Sequence, residues 1–263
     1  LGARVMASPA TRRKAHVAGI DIATVGGSGP GGRISAQDLE SVINGSGDTI
    51  TRLAPRTTRE GTEEIKIIGL RRVIAQRMSE AKRNIPHFAY VEEVDVTELE
   101  ALRQYLNARL EKGAPSLTYL PFLIAALARV LVQFPQCNAV HDAERNLMIR
   151  HRAVHVGIAT QTPDGLKVPV LRHAEALSLA EIALEVRRLS EAARNNKSTR
   201  EELTGSTITV TSLGRLGGIA STPVINAPEV AIIGVNKAVE RPVVLNGAIT
   251  IRRIMNLSSS FDH

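Results

Sequence analysis

Residues 44–63, NGSGDTITRLAPRTTREGTE, hold neither a helical nor a strand period, and most of them are Gly, Ser, Thr or charged. A compact domain seldom contains a loop this long without structure of its own. The composition is that of a flexible linker. The stretch predicts that this 263-residue chain is two unequal bodies: a small unit over residues 5–43 and a larger domain over residues 64–263.

The small unit reads as two short helices around a glycine loop. Ser8 and Pro9 make an N-cap and first-turn pair, and Gly19 ends the helix they open. Ser35 opens the second helix, with Asp38 placed for a capping box. Between them stands GGSGPGGRIS, which contains a formal G-x-G-x-x-G. A dinucleotide site needs a strand before that motif, a long helix opening at it and an acid about 20 residues on. Here a helix and the short IDIATV precede it, the following helix is brief, and the linker stands where a second strand is needed. Pro30 also lacks an amide for phosphate. The glycines are therefore predicted to serve a tight turn with positive φ. A core of about a dozen apolar side chains puts this unit near the lower size limit for folding alone.

From Ile65 the pattern becomes mixed. Helices are predicted for LRRVIAQRMSEAKRN, with Leu70, Ile74 and Met78 on one face, for ELEALRQYLNARLEKG with a glycine stop, and for SLAEIALEVRRLSEAARNN. LPFLIAALARVLVQFP is almost wholly apolar and predicts a helix buried all round. HFAYVEEVDV, AVHVGIAT, LKVPVL, STITVTSL, VAIIGV and IMNLSSS read as strands. Strands gathered late in the chain predict an α+β domain, a mixed sheet covered by helices.

Composition narrows the function classes. The net charge is +7, yet the basic residues are interleaved with glutamates and aromatic residues make up 3% of the chain with no Trp. Stacking platforms for bases are scarce, and no nucleic-acid partner is expected. No apolar run approaches the ~20 residues of a membrane span, so no membrane partner is expected. Cys137, the single cysteine, reads as a buried structural thiol, and a reducing compartment fits. No H-E-x-x-H and no cysteine pair accompany the seven histidines, so no metal site is expected. His151 and His155 fall on a predicted strand, and His16, His141 and His173 read as solvated. His87 is read as packing or hydrogen-bonding at a strand start.

Two places carry residue types suited to catalysis. His263 follows an acid at the end of a β-like run, where an imidazole can act as a general base. Thr211 and Ser212 place hydroxyls at the end of a strand before a glycine-rich turn. A hydroxyl there can donate to a developing oxyanion or simply cap the turn.

Taken together, MASPATRRKAHVAGIDIATVGGSGPGGRISAQDL resembles the peripheral subunit-binding domain of the 2-oxo acid dehydrogenase complexes. LRRVIAQRMSEAKRNIPHFAYVEEVDVTEL, DGLKVPVLRHAEALSL, LTGSTITVTSLGRLGG, TPVINAPEVAIIGVNKA and MNLSSSFDH resemble the catalytic domain of their dihydrolipoamide acyltransferases, closest to the bacterial branched-chain type. The resemblance implies a chloramphenicol-acetyltransferase-like α+β domain behind a small helical subunit-binding domain, working as trimers in a large cubic or icosahedral core. It implies transfer of a branched-chain acyl group from dihydrolipoamide to coenzyme A, in a channel between subunits, in the cytoplasm (or the mitochondrial matrix of a eukaryote). Acetyl or succinyl transfer, or a non-catalytic scaffold that binds partners, are the alternatives.

By motif match, His263 is the general base and Thr211 the oxyanion donor. Arg103, Thr118, Gln161, Ser190, Ser212 and Asn236 match the family's coenzyme A path. Arg12, Arg13 and Arg33 match the basic surface that grips the decarboxylase or the dihydrolipoamide dehydrogenase, and Asp38 is implied to bond the glycine loop's amides. The chain starts at Leu1, ends at His263 and holds no lipoyl domain. It reads as a piece whose lipoyl group is supplied by another domain, and whose family would continue beyond the terminal histidine.

Overall fold

The computed structural model of the chain describes residues 5–44, 60–111, 116–212, 214 and 217–263. They fall into two compact units, Leu1–Glu64 and Ile65–His263. Most of the expected linker, residues 45–59, lies outside the described residues.

In the small unit, α1 (Pro9–Val17) and α2 (Ala36–Ile43) start where their caps require. The Ser8 side chain accepts from Thr11 N, and the Ser35 and Asp38 side chains form a reciprocal capping box. Ala18 caps α1, and Gly19 follows it with φ +68°. IDIATV forms a single turn of 3₁₀ helix over Ile22–Thr24. The core is small: Ala15, Val25, Ile34 and Leu39 are buried, with Val5, Ala7, Ile20 and Ile22 packed around them.

The glycine loop closes on itself. A Cβ at Gly27 would stand 2.3 Å from the Gly32 carbonyl oxygen. Gly31 and Gly32 adopt φ of +69° and +79°. Asp38 accepts from Ser28 N (3.1 Å), Ser28 Oγ (2.6 Å) and Ser35 N (2.7 Å). These bonds, led by that from the Ser28 hydroxyl, hold its carboxyl far below the usual carboxylate range.

The large unit is α+β. Its helices are α3 (Gly69–Asn84), α4 (Thr97–Asn107), α5 (Tyr119–Gln133) and α6 (Leu179–Arg194). Its strands are β1 (His87–Asp95), β2 (Ala139–Asp142), β3 (Leu147–Arg150), β4 (Val156–Thr162), β5 (Gly165–Lys167), β6 (Val170–Leu171), β7 (Ile208–Ser212), β8 (Ala231–Leu245) and β9 (Ala248–Asp262). The main sheet runs β1-β9-β8-β7-β4-β5, with β6 also paired to β4, and β2 and β3 form a separate ribbon. β4, β7 and β8 are mutually parallel and their other pairings are antiparallel, so the sheet is mixed. The core lies where α5 and α6 meet β4, β7 and β8, around Ile124, Leu131, Val156, Leu171, Ile182, Leu189 and Ile208.

Several expectations change. The α4 helix stops at Asn107, well before Gly113. The Asn107 side chain donates to Leu117 O (3.0 Å) and accepts from Leu117 N (2.7 Å), a local bond set that competes with another helical turn. α5 is not buried all round: Ile124, Ala128 and Leu131 are covered, while Val132 is 77% exposed. The stripe on α3 is only half-covered, and Leu70 stands exposed. LKVPVL forms two strands, because Pro169 cannot donate to the ladder between them. His151 and His155 precede β4 rather than lying on it. Cys137 is half-buried at the edge of the core, and burial pushes its thiol up, away from the reactive thiolate.

The sequence reading lacked the 15-residue arms of the β8–β9 hairpin. Its signal was present: Asn246 and Gly247, both with positive φ, make the two-residue turn that fits right-handed strand twist. Toward that turn the hairpin exposes Val244, Leu245, Ile249 and Ile251, with Ile249 80% accessible.

Candidate active site

Strand register sorts the predicted site residues into groups. Thr211 and Ser212 end β7, opposite Gly234 and Val235 of β8. Ala159 of β4 pairs with Thr211 on the other side, so Gln161 emerges at the same end of the sheet. Asn236 follows Val235 inside a β-bulge, a feature that re-aims side chains beside sites. Asn236 is 5% exposed, and its Oδ1 accepts from Ser258 Oγ (2.7 Å), which itself accepts from Ser221 N (3.1 Å). Ser212 Oγ accepts from Gly214 N (3.3 Å), so this hydroxyl does cap its turn. Leu213, Arg215 and Leu216, which follow in the sequence, are outside the described residues.

Arg103 and Thr118 form a second group. Arg103 Nε and Nη2 each reach Glu100 at 2.8 Å, and Nη1 donates to Leu117 O (3.0 Å), next to Thr118. Tyr119 and Gln104 also donate to Glu100. These contacts, Arg103 first, hold the Glu100 carboxyl at about 2 against burial. Thr118 caps α5 without a side-chain bond and is exposed, and Ser190 is half-buried on α6.

His263 stands at the other end of the sheet. It follows Asp262, whose amide donates to Val230 O (2.9 Å) where β8 begins. Its own amide donates to Pro86 O (3.2 Å). Its ring meets Phe88 edge-on at 5.8 Å, and the residue is exposed. Two strand spacings and about five residues of rise separate it from Thr211, on the order of 20 Å. A general base works within hydrogen-bond reach or through one water. One chain therefore does not bring its His263 to its own Thr211.

Near the starts of β7 and β8 lies a polar cluster whose centre, Glu229, has no signal in the sequence. Glu229, 1% exposed, accepts at Oε1 from Ser206 Oγ (2.5 Å), Thr209 Oγ1 (2.9 Å) and Asn226 Nδ2 (2.8 Å). Its Oε2 is buried with no partner among the described residues. Burial pushes this carboxyl above the usual range. His87 was read only as a strand-start histidine, and it makes two bonds there: Nδ1 to Ile85 O (2.8 Å) and Nε2 with Ile225 N (3.0 Å). Ser258 and Ser260, buried at alternate positions of β9, were the one legible sign of polar groups inside the sheet.

In the small unit, Arg12 and Arg13 lie on α1 and Arg33 ends the glycine loop, all three exposed. Arg12 bonds Val5 O, and among the described residues none of the three forms an ion pair. No helix among the described residues is long and apolar enough to cross a membrane.

Comparison with known proteins places this arrangement. A model of the 2-oxoacid dehydrogenases acyltransferase (catalytic domain) family matches residues 59–263, and a model of the E3 binding domain matches residues 5–40. The chain belongs to the 2-oxoacid dehydrogenase acyltransferase family. It is 58% identical, over its whole length, to the lipoamide acyltransferase component of the branched-chain alpha-keto acid dehydrogenase complex of Pseudomonas putida, and 54% identical to that of Pseudomonas aeruginosa. The chain spans 62% of the length of each of these two relatives. Among solved structures, its fold is similar to a dihydrolipoamide acetyltransferase of Azotobacter vinelandii, studied for the catalytic roles of a serine, a histidine and an asparagine. That match has a TM-score of 0.74 and 38% identity, covering 80% of this chain and 89% of the other. The cubic core of a pyruvate dehydrogenase multienzyme complex matches with the same values.

Proposed function

We propose that this acyltransferase-family chain moves a branched-chain acyl group, such as 2-methylpropanoyl, from dihydrolipoamide to coenzyme A. The domains are read as a subunit-binding domain over residues 5–43, a linker over 44–63 and a catalytic domain over 64–263. The observation that carries the reading is the setting of His263: an exposed imidazole at a strand end, its backbone and ring both held by neighbours. The names of the two Pseudomonas relatives support the branched-chain substrate.

In this reading His263 takes the proton from the coenzyme A thiol, because the thiolate is the competent nucleophile. The thiolate attacks the thioester carbonyl of acyl-dihydrolipoamide and forms a tetrahedral oxyanion. The Thr211 hydroxyl donates to that oxyanion. Collapse breaks the bond to the dihydrolipoamide sulfur, which takes the proton back from His263. Thr211 and His263 lie too far apart in one chain, so the competent pair is Thr211 of one copy and His263 of the next. The apolar faces of α5 and the β8–β9 hairpin support a close association of copies, read here as a trimer within a larger cubic or icosahedral core.

Ser212, Gln161 and Asn236 line the coenzyme A path beside Thr211. Arg103, Thr118 and Ser190 are proposed further contacts, with Arg103 using the N–H groups that Glu100 leaves free. The lipoyl group comes from a separate domain. Arg12, Arg13 and Arg33 are proposed to hold an acidic surface on the decarboxylase or the dihydrolipoamide dehydrogenase, in the cytoplasm. The test is the rate of transfer from 2-methylpropanoyl-, acetyl- and succinyl-dihydrolipoamide to coenzyme A. A preference for the branched donor supports the assignment, and equal rates for the unsubstituted protein and His263→Ala overturn it.

A further inference from the structure

We infer that His87 is a positioning residue for His263: a neutral imidazole protonated at Nδ1, it ties the turn that holds His263 to the loop over residues 221–227. The inference rests on the reading of His263 as the base.

Three consecutive residues, running from this turn into the start of β1, bear on His263. Pro86 O accepts from the His263 amide, His87 pairs in register with Asp262, and the Phe88 ring meets the His263 ring edge-on. The position of the imidazole therefore follows the position of residues 86–88. That turn is fixed from within by His87. A carbonyl only accepts, so the 2.8 Å contact with Ile85 O requires a proton on Nδ1. A backbone amide only donates, so the 3.0 Å contact from Ile225 N requires a bare Nε2. The two partners select one tautomer, and the protonated ring would lose the Ile225 bond.

The other side of the clamp is firm. Ile225 is fully buried, and the next residue, Asn226, donates to the buried Glu229 carboxylate oxygen that also receives Thr209 of β7. The loop that His87 grips is thus anchored to the strand that carries Thr211. His87 touches neither substrate nor reacting atoms in this scheme and acts by holding the base in place.

The two bonds can be removed separately. Asparagine reproduces the Nδ1 donor and leaves Ile225 N unpaired. Glutamine reaches as far as Nε2 and can accept from Ile225 N. His87→Ala and His87→Asn are expected to lower kcat about tenfold to a hundredfold, the scale for a displacement of about 1 Å. KM for both substrates should stay within about twofold, since no binding contact is removed. His87→Gln is expected to keep kcat within about threefold, because the clamp survives. Wild-type kcat in His87→Asn, or a loss in His87→Gln as deep as in His87→Ala, overturns the inference. Should the Ala and Asn variants fail to fold, ¹⁵N-histidine NMR on the unsubstituted chain decides. A protonated Nδ1 with a bare Nε2 supports the inference, and the opposite tautomer refutes it. His263→Ala is measured in parallel: full activity there sinks the reading of the base itself, whereas its loss beside intact His87 variants sinks only the positioning role.

Discussion

The small unit and the large unit solve opposite problems. Residues 5–44 close a tiny core locally, with caps, glycines and Asp38 tying its helices and loop, and they leave Val17 and the arginines Arg12, Arg13 and Arg33 exposed. The large unit has a substantial core yet leaves apolar faces on α5 and the β8–β9 hairpin, and it sets Thr211 and His263 at opposite ends of one sheet. Under the proposed function the small unit grips a partner, and it can be complete before it binds. Under the same proposal the large unit shares its chemistry between copies and is incomplete until it assembles.

The largest expected effect tests that incompleteness directly. His263→Ala should lower acyl transfer by roughly a hundredfold to ten-thousandfold, the range for a general base. Thr211→Ala should cost roughly a hundredfold to a thousandfold in kcat, as for one lost oxyanion donor. Assembling the two inactive variants together should then restore part of the activity, because some interfaces pair an intact His263 with an intact Thr211. A mixture as inactive as its parents would break the comparison.

Next in size is the assembly itself. Charge placed on the exposed apolar faces, as in Val132→Glu with Ile249→Glu, should shift the sedimentation coefficient toward the single chain. Unchanged sedimentation would show that these faces are not the contact.

A third test uses pH on the large unit. Glu100 has a folded pKa of about 2 against an ordinary 4.5, so its contribution is full above about 4.5 and is lost as pH falls toward 2. Glu229 has the opposite sign. Its folded value is raised, so stability is greatest below the ordinary carboxylate value and declines as pH rises through the folded one. Thermal melting across pH should show both limbs. Glu100→Gln should flatten the acid limb, and Glu229→Gln should flatten the other. The smallest effect belongs to the small unit: Ser35→Ala removes an N-cap worth about 1 kcal/mol. Faster hydrogen exchange at the α2 amides of the full chain would register it, with the large unit unchanged.

How much of this was legible follows the range of the interactions. The capping box at Ser35, the start of α1 and the positive-φ glycines are settled by residues a few positions apart. Sequence spacing therefore reads them directly. The Asn246–Gly247 turn was equally local and went unread, which cost the hairpin. Glu229 was illegible, because its donors Ser206 and Thr209 lie 23 and 20 residues away, just before β7 and on it.

By itself the sequence determined two bodies, an α+β order of elements, a capping box at Ser35 and Asp38, and residue types suited to a general base and an oxyanion donor. Only the tertiary structure decided which of those residues meet. Pairing register is a long-range property, and it sends Thr211 and His263 to opposite sheet ends while bringing His87, Pro86 and Phe88 around the histidine. The apolar surface of α5 was likewise written in its sequence, but only the packed domain showed which face of it is covered and which is exposed.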